Sequence, residues 1–162
     1  MPIEHVRSGV DPATLTAIVV RAWRTLVGDD LVPLDGASQV SDPMCSSIAI
    51  GGPWSATVVV SVERAAAQAG ASSLLGVEPR HVDESDVLDL LGELANIVGG
   101  NVKGFVSGAR DGEWTLSLPV VSAGVQTVPG SRCALQLGFA GGSGGLACEL
   151  REHAGAPERP SA

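Results

Sequence analysis

Apolar positions change their spacing from one segment to the next, and the changes mark the elements. Asp11 precedes Pro12, an N-cap followed by proline at the first helical position, and Leu15, Ile18, Val19, Ala22, Trp23 and Leu26 then recur at helical spacing until Gly28. One amphipathic helix is expected there. From Leu31 to Trp54 short apolar pieces are broken by Pro33, Gly36, Pro43 and Gly51-Gly52-Pro53, which suits strands separated by turns. Ala56 to Val62 is rich in valine and reads as a well-buried strand. Glu63 to Leu75, opening with alanines, reads as a second helix, and Gly76 to Arg80 as a connector.

A third helix starts at a cap on Asp83 or Ser85 and runs to about Val106, before Ser107-Gly108. Asp83, Glu84 and Asp86 suit the positive end of its dipole. Val87, Leu91, Leu94, Val98, Val102 and Phe105 fall within about 80° of one another on the helical wheel, a core-facing stripe. Opposite them lie Asp89, Glu93, Asn96, Gly100 and Lys103. Trp114 to Val121, Arg132 to Ala140 and Leu146 to Leu150 are three further strand segments, with Gly141-Gly142-Ser143-Gly144-Gly145 as a hairpin tip. The pattern predicts an α+β fold, a mostly antiparallel sheet packed against about three helices. One domain is expected over residues 1–152, and a flexible tail from His153 to Ala162, where composition turns to Ala, Gly, Pro and charge.

Composition narrows the function. The chain has 162 residues, room for one domain, and its 44% apolar content excludes a disordered, solvating protein. A net charge of −8 repels phosphate backbones and anionic lipid, and two Phe, three Trp and no Tyr leave few rings for stacking on bases, so neither nucleic acid nor membrane is expected as a partner. No apolar run approaches the length of a membrane span, and Cys45, Cys133 and Cys148 form no C-x-x-C pair. The three cysteines read as buried, reduced thiols in a cytoplasmic protein.

Most chemical candidates fail on context. The glycine cluster at 141–145 is followed by no Lys-Ser or Lys-Thr and opens no helix, so a phosphate cradle is excluded. His5, His81 and His153 have no partner at ligand spacing, so no metal is expected, and no G-x-S-x-G elbow surrounds any serine. The outward face of the third helix is different. Glu93 and Asn96, at i and i+3, project a carboxylate and a carboxamide from one side, with Asp89 a turn earlier. Asn is an indifferent helix former, and Gly99 and Gly100 cost roughly 1 kcal/mol each against alanine in a helix interior. Glycines beside a polar pair suggest that something approaches closely.

Asp89-x-x-x-Glu93-x-x-Asn96, followed by 22 residues and Pro119, resembles the signature of the CheC/CheX/FliY family of chemotaxis phosphatases. The run Gly-Glu-Leu-Ala-Asn-Ile-Val-Gly-Gly-Asn-Val-Lys-Gly at 92–104 is similar to the family's helix, and the likeness in element order covers most of residues 10–151. The first helix, where a duplicated site would sit, has no Glu or Asn between Leu15 and Val27, so the resemblance is to the single-site CheX branch. It implies a CheX-like fold, a homodimer paired through the sheet, and hydrolysis of the aspartyl phosphate on a response-regulator receiver domain such as CheY. Under that resemblance Asn96 orients the attacking water and Glu93 pairs with a receiver lysine. Asp89, Gly100 and Pro119 contact the partner or support the face. The chain itself holds no cofactor, and Mg²⁺ arrives bound to the receiver. A receiver-binding adaptor without turnover and a structural dimerisation module remain as alternatives.

Overall fold

The computed structural model describes residues 9–36 and 39–154. Helix α1 (Pro12–Val27) begins where Asp11 accepts a hydrogen bond from the Thr14 backbone N–H at 2.7 Å and ends at Gly28 in the left-handed conformation (φ 73°), as the Asp-Pro and Gly signals predict. After β1 (Val32–Leu34) come the long hairpin β2 (Pro43–Gly51) and β3 (Ala56–Glu63), then α2 (Arg64–Leu75), which also stops at a left-handed glycine, Gly76. A short 3-10 turn at Pro79–His81 leads to α3 (Glu84–Ser107). The chain then forms β4 (Thr115–Leu116), β5 (Val120–Ala123), β6 (Ser131–Gly141) and β7 (Gly144–His153).

The strands make one seven-stranded antiparallel sheet in the order β1-β6-β7-β3-β2-β4, with β5 pairing on the same edge of β2 as β4. Its register places residues of one kind in rows. Met44, Val62, Leu146 and Phe139 align across four strands, as do Ile48, Val58, Leu150 and Leu135. The alternation of strand side chains puts these rows on the face that carries the helices, while Ser47, Glu149 and Gln136 stand on the other. Burial is nearly complete in the helix-facing rows, and each fully buried Leu or Ile there contributes about 1.5–3 kcal/mol.

Four sequence expectations are corrected. Trp114 to Val121 is two short strands, because Pro119 has no N–H to give to β2. Phe105 is 46% exposed, since the buried line continues from Val98 and Val102 to Val106 at i+4 spacing and leaves Phe105 at its border. Cys133 is exposed where Cys45 and Cys148 are buried. It stands beside a register shift between Cys133 and Leu135 in a strand whose outer face is covered by none of the described helices. His153 is not tail but the last residue of β7, its N–H on the Ser55 carbonyl at 3.0 Å and its Nε2 2.8 Å from Thr57 Oγ1. The expected tail from 155 onward, like His5, lies outside the described residues.

Candidate functional site

Helix α3 is the best specified element of the chain. Asp83 and Asp86 close a reciprocal capping box, with Asp86 N–H on Asp83 Oδ1 at 2.9 Å and Asp83 N–H on Asp86 Oδ2 at 3.0 Å. This settles the cap on Asp83. Val87, Leu90, Leu91, Leu94, Ala95, Val98 and Val102 are buried against the sheet and the other helices. With the core side fixed by that burial, Asp89, Glu93 and Asn96 face solvent, and all three are exposed. Among the described residues none of the three side chains has a hydrogen-bond or ion-pair partner. An acid, a second acid and a carboxamide thus stand on successive turns with their bonding capacity unspent. Asn101, by contrast, donates its Nδ2 to the Ile97 carbonyl at 2.7 Å and is occupied within the helix.

The two helix glycines separate. A Cβ built on Gly99 would run into Ile48 Cγ2 of β2 and come within 3.4 Å of Leu116, so Gly99 is needed for helix and sheet to close together. Its expected role beside the polar pair is therefore corrected to a packing role. A Cβ on Gly100 meets no atom within 4 Å. Gly100 lies one turn beyond Asn96 on the same face and leaves that ground open.

Pro119, remote in sequence, joins the site through the sheet. It falls between β4 and β5, on the edge of the sheet beneath α3, and a Cβ on the buried Gly92 would lie 3.6 Å from the proline ring and 3.7 Å from Val121. Gly92 precedes Glu93 directly, so the proline borders the polar face. The motif already set Pro119 beside the helix face, and the register of β4 and β5 on β2 supplies the contact through which it gets there, with Gly92.

Other places in the molecule offer less. The backbone N–H groups at the hairpin tip are already met by carboxylates, Gly142 by Asp29 at 3.2 Å and Gly145 by Glu63 at 2.8 Å, an arrangement that repels an anion. Among the described residues no group of three or more His, Cys, Asp or Glu could hold a metal ion, and no helix is long and apolar enough to cross a membrane. The Cys148 thiol is pushed up to about 12 by burial and then by the charge of Glu149, which removes it as a nucleophile.

Comparison with known proteins follows the same lines. No curated protein matches the sequence. Several solved structures share its fold. Chemotaxis protein CheX from Vibrio vulnificus superposes with a TM-score of 0.71 at 19% identity, over 86% of this chain and 93% of that one. A putative chemotaxis protein from Desulfovibrio vulgaris Hildenborough gives 0.71 at 20% identity, over 90% and 99%. CheX from Borrelia burgdorferi, in a complex described as CheX-CheY-BeF3-Mg, gives 0.67 at 14% identity, over 86% and 96%. At these identities the likeness shows the fold. The family model for the chemotaxis phosphatase CheX matches residues 44–139, a stretch that contains the whole of α3 and Pro119. With more than half of its length matched by that model, the chain belongs to the CheX family of chemotaxis phosphatases.

Proposed function

We propose that this protein hydrolyses the aspartyl phosphate of a response-regulator receiver domain. The observation that carries the reading is the exposed, unpartnered Glu93 and Asn96 on a rigidly capped helix, beside open ground at Gly100. An acyl phosphate is an activated mixed anhydride with a carboxylate as leaving group, so the chemistry asks for little beyond a water held in line with phosphorus. Water attacks phosphorus, the bond to the aspartate oxygen breaks, and the products are inorganic phosphate and the free carboxylate, with the water's proton passing to phosphate or solvent.

In this reading the Asn96 carboxamide holds the attacking water and acts as an orienter, not a base. The Glu93 carboxylate pairs with a lysine near the receiver's phosphorylation site and fixes the docked register. Asp89 and Pro119 support the face, and the absent side chain of Gly100 admits the partner's backbone. Mg²⁺ belongs to the receiver's acidic pocket. That the similar Borrelia burgdorferi CheX was captured with CheY, BeF3 and Mg supports a receiver as partner here. The protein works as a cytoplasmic homodimer, since both outer strands of the described sheet leave an edge that pairing would cover. Phosphate release from a phosphorylated receiver, compared between wild type and Asn96→Ala, tests the assignment.

A further inference from the structure

Lys103 is the only lysine of the chain and the only basic residue of α3, a helix that places Glu84, Asp86, Asp89 and Glu93 before Asn96. At about 100° per residue it lies about 20° around the helix from Asn96 and about 10 Å along it. Gly100 falls between them, and a Cβ there meets no atom within 4 Å. The polar face thus has a carboxylate and a carboxamide on one side of open ground and an ammonium group on the other. Cα–Cβ bonds tilt toward the helix N-terminus, which for Lys103 is the direction of Gly100 and Asn96.

Two observations set this cation apart. Arg24, Arg64, Arg80, Arg132 and Arg151 each pair with a carboxylate, whereas Lys103 has no ion-pair or ring partner among the described residues. Its side chain is nevertheless partly buried. Such a lysine lays its stem along the protein and holds the charge out at the end, so part of the cost of ordering it is met before a partner arrives. The backbone beneath is fixed as well, since Gly99, one turn earlier, is where α3 closes on Ile48 of β2.

The partner's charge gives that cation its use. A phosphorylated receiver presents a phosphoryl group and the carboxylates around its Mg²⁺ to a protein of net charge −8 whose site helix begins with acids. Unopposed, like charges slow the encounter. We propose that Lys103 is a docking residue for the receiver's anionic pocket. Its ammonium group meets a phosphoryl or carboxylate oxygen of the receiver beside Gly100, and it acts on association, not on the attack of water. Glu93 and Lys103 lie about 15 Å apart along α3, so the face carries both signs, and a receiver docked the other way round meets like charges at both ends. The inference rests on the receiver reading above and adds the residue that sets encounter rate and orientation.

The test uses the full-length protein with Lys103→Met, which keeps the stem and loses the charge, and with Lys103→Glu and Lys103→Arg. Association with a CheY-type receiver, with and without BeF3 and Mg²⁺, is followed at about 0.01 M and about 1 M ionic strength, where the Debye lengths are roughly 30 and 3 Å. Steady-state turnover of the same receiver phosphorylated by acetyl phosphate and thermal melts accompany it. At low salt Lys103→Met is expected to slow association and raise KM about three- to fivefold with kcat and melting unchanged. Lys103→Glu should do so by more than about tenfold, Lys103→Arg should stay within about twofold of wild type, and all differences should fade at high salt. A defect confined to the BeF3-bound receiver supports the contact and assigns it to the phosphoryl group, and a defect shared by both forms supports it and assigns it to the carboxylates. Lys103→Glu that associates and turns over as wild type does at low salt would overturn the proposal. So would a fall in kcat at unchanged KM, which would move Lys103 to the chemical step. Failure of the receiver reading looks different: Asn96→Ala then turns over as fast as wild type, whatever Lys103 does.

Discussion

Pro119 lies against Gly92, so that a Cβ on the glycine would meet the proline ring at 3.6 Å, and the two come from segments 27 residues apart. The contact explains how a proline on a sheet edge and an acid-amide pair on a helix can belong to one surface. Substituting Pro119 tests it. Pro119→Ala keeps the edge but frees its backbone, and both side chains at 93 and 96 remain, so the melting temperature should move little while receiver turnover falls severalfold. Thermal melts beside a phosphate-release assay separate the two effects.

Gly99 and Gly100 should respond in opposite directions to the same substitution. Gly99→Ala forces a methyl group into Ile48 at the α3–β2 contact, and overpacking of this kind costs about 1–3 kcal/mol. Gly100→Ala adds a methyl group to open space within a helix and should stabilise by up to about 1 kcal/mol. If Gly100 is there to admit the receiver, the more stable variant is also the slower phosphatase. Urea denaturation and turnover measured on both variants read this directly.

Much of this was legible in the sequence, and the failures have physical causes. Helix caps are local, so Asp11 and Gly28 could be placed from their neighbours and the cap of α3 narrowed to Asp83 or Ser85, and strong 3.6-residue periodicity marked the buried side of α3. Phe105 was misplaced because the stripe shifts to Val106 at the helix end. Gly99 looked like part of the polar face because only the sheet beneath, through Ile48, shows that it is a packing residue. Cys133 looked buried by the company of small apolar residues, yet a register shift and an uncovered sheet face decide its exposure. The polar triad Asp89, Glu93 and Asn96 was visible as spacing on a helix, whereas the contact of Gly92 with Pro119 needed three-dimensional context.

Thiol reactivity should follow the three different environments. Cys133 is exposed, but partial burial and then the Glu149 charge raise its ionisation above the ordinary thiol value. A raised value leaves less thiolate near neutrality, so labelling of Cys133 should be slower than that of a free cysteine at about pH 8 and should accelerate as pH rises. Cys45 and Cys148 should react only after unfolding, because both are buried. Counting labelled thiols by mass before and after denaturant checks the assignment; two fast thiols in the native protein would contradict it.

Oligomeric state follows from the open edges of the described sheet, and Mg²⁺ dependence from the receiver reading. Sedimentation at micromolar protein should show a dimer, and a monomer alone would remove the pairing claim. Turnover should require Mg²⁺, while calorimetry of Mg²⁺ with this protein by itself should show no tight site. Tight binding to the isolated protein would overturn that division.

Glu93 and Asn96 should fail in different ways. Both are exposed, so alanine at either position should leave stability within about 0.5 kcal/mol of wild type. Glu93→Ala removes half of an intermolecular charge pair and should weaken receiver binding, by about 2–5 kcal/mol if the pair is desolvated and by about 0–1 kcal/mol at a wet rim. Single-turnover and binding experiments separate that loss from a loss in the chemical step.

The central claim is that Asn96 places the attacking water. The most direct measurement is the rate of phosphate release from a phosphorylated receiver saturated with wild-type protein and with Asn96→Ala. The account predicts that wild type accelerates release well above the receiver's own rate, and that Asn96→Ala lowers the saturated rate by roughly 10²-fold or more while binding is retained. Equal rates for the two proteins, or no acceleration by wild type despite binding, would contradict it and leave a receiver-binding adaptor in its place.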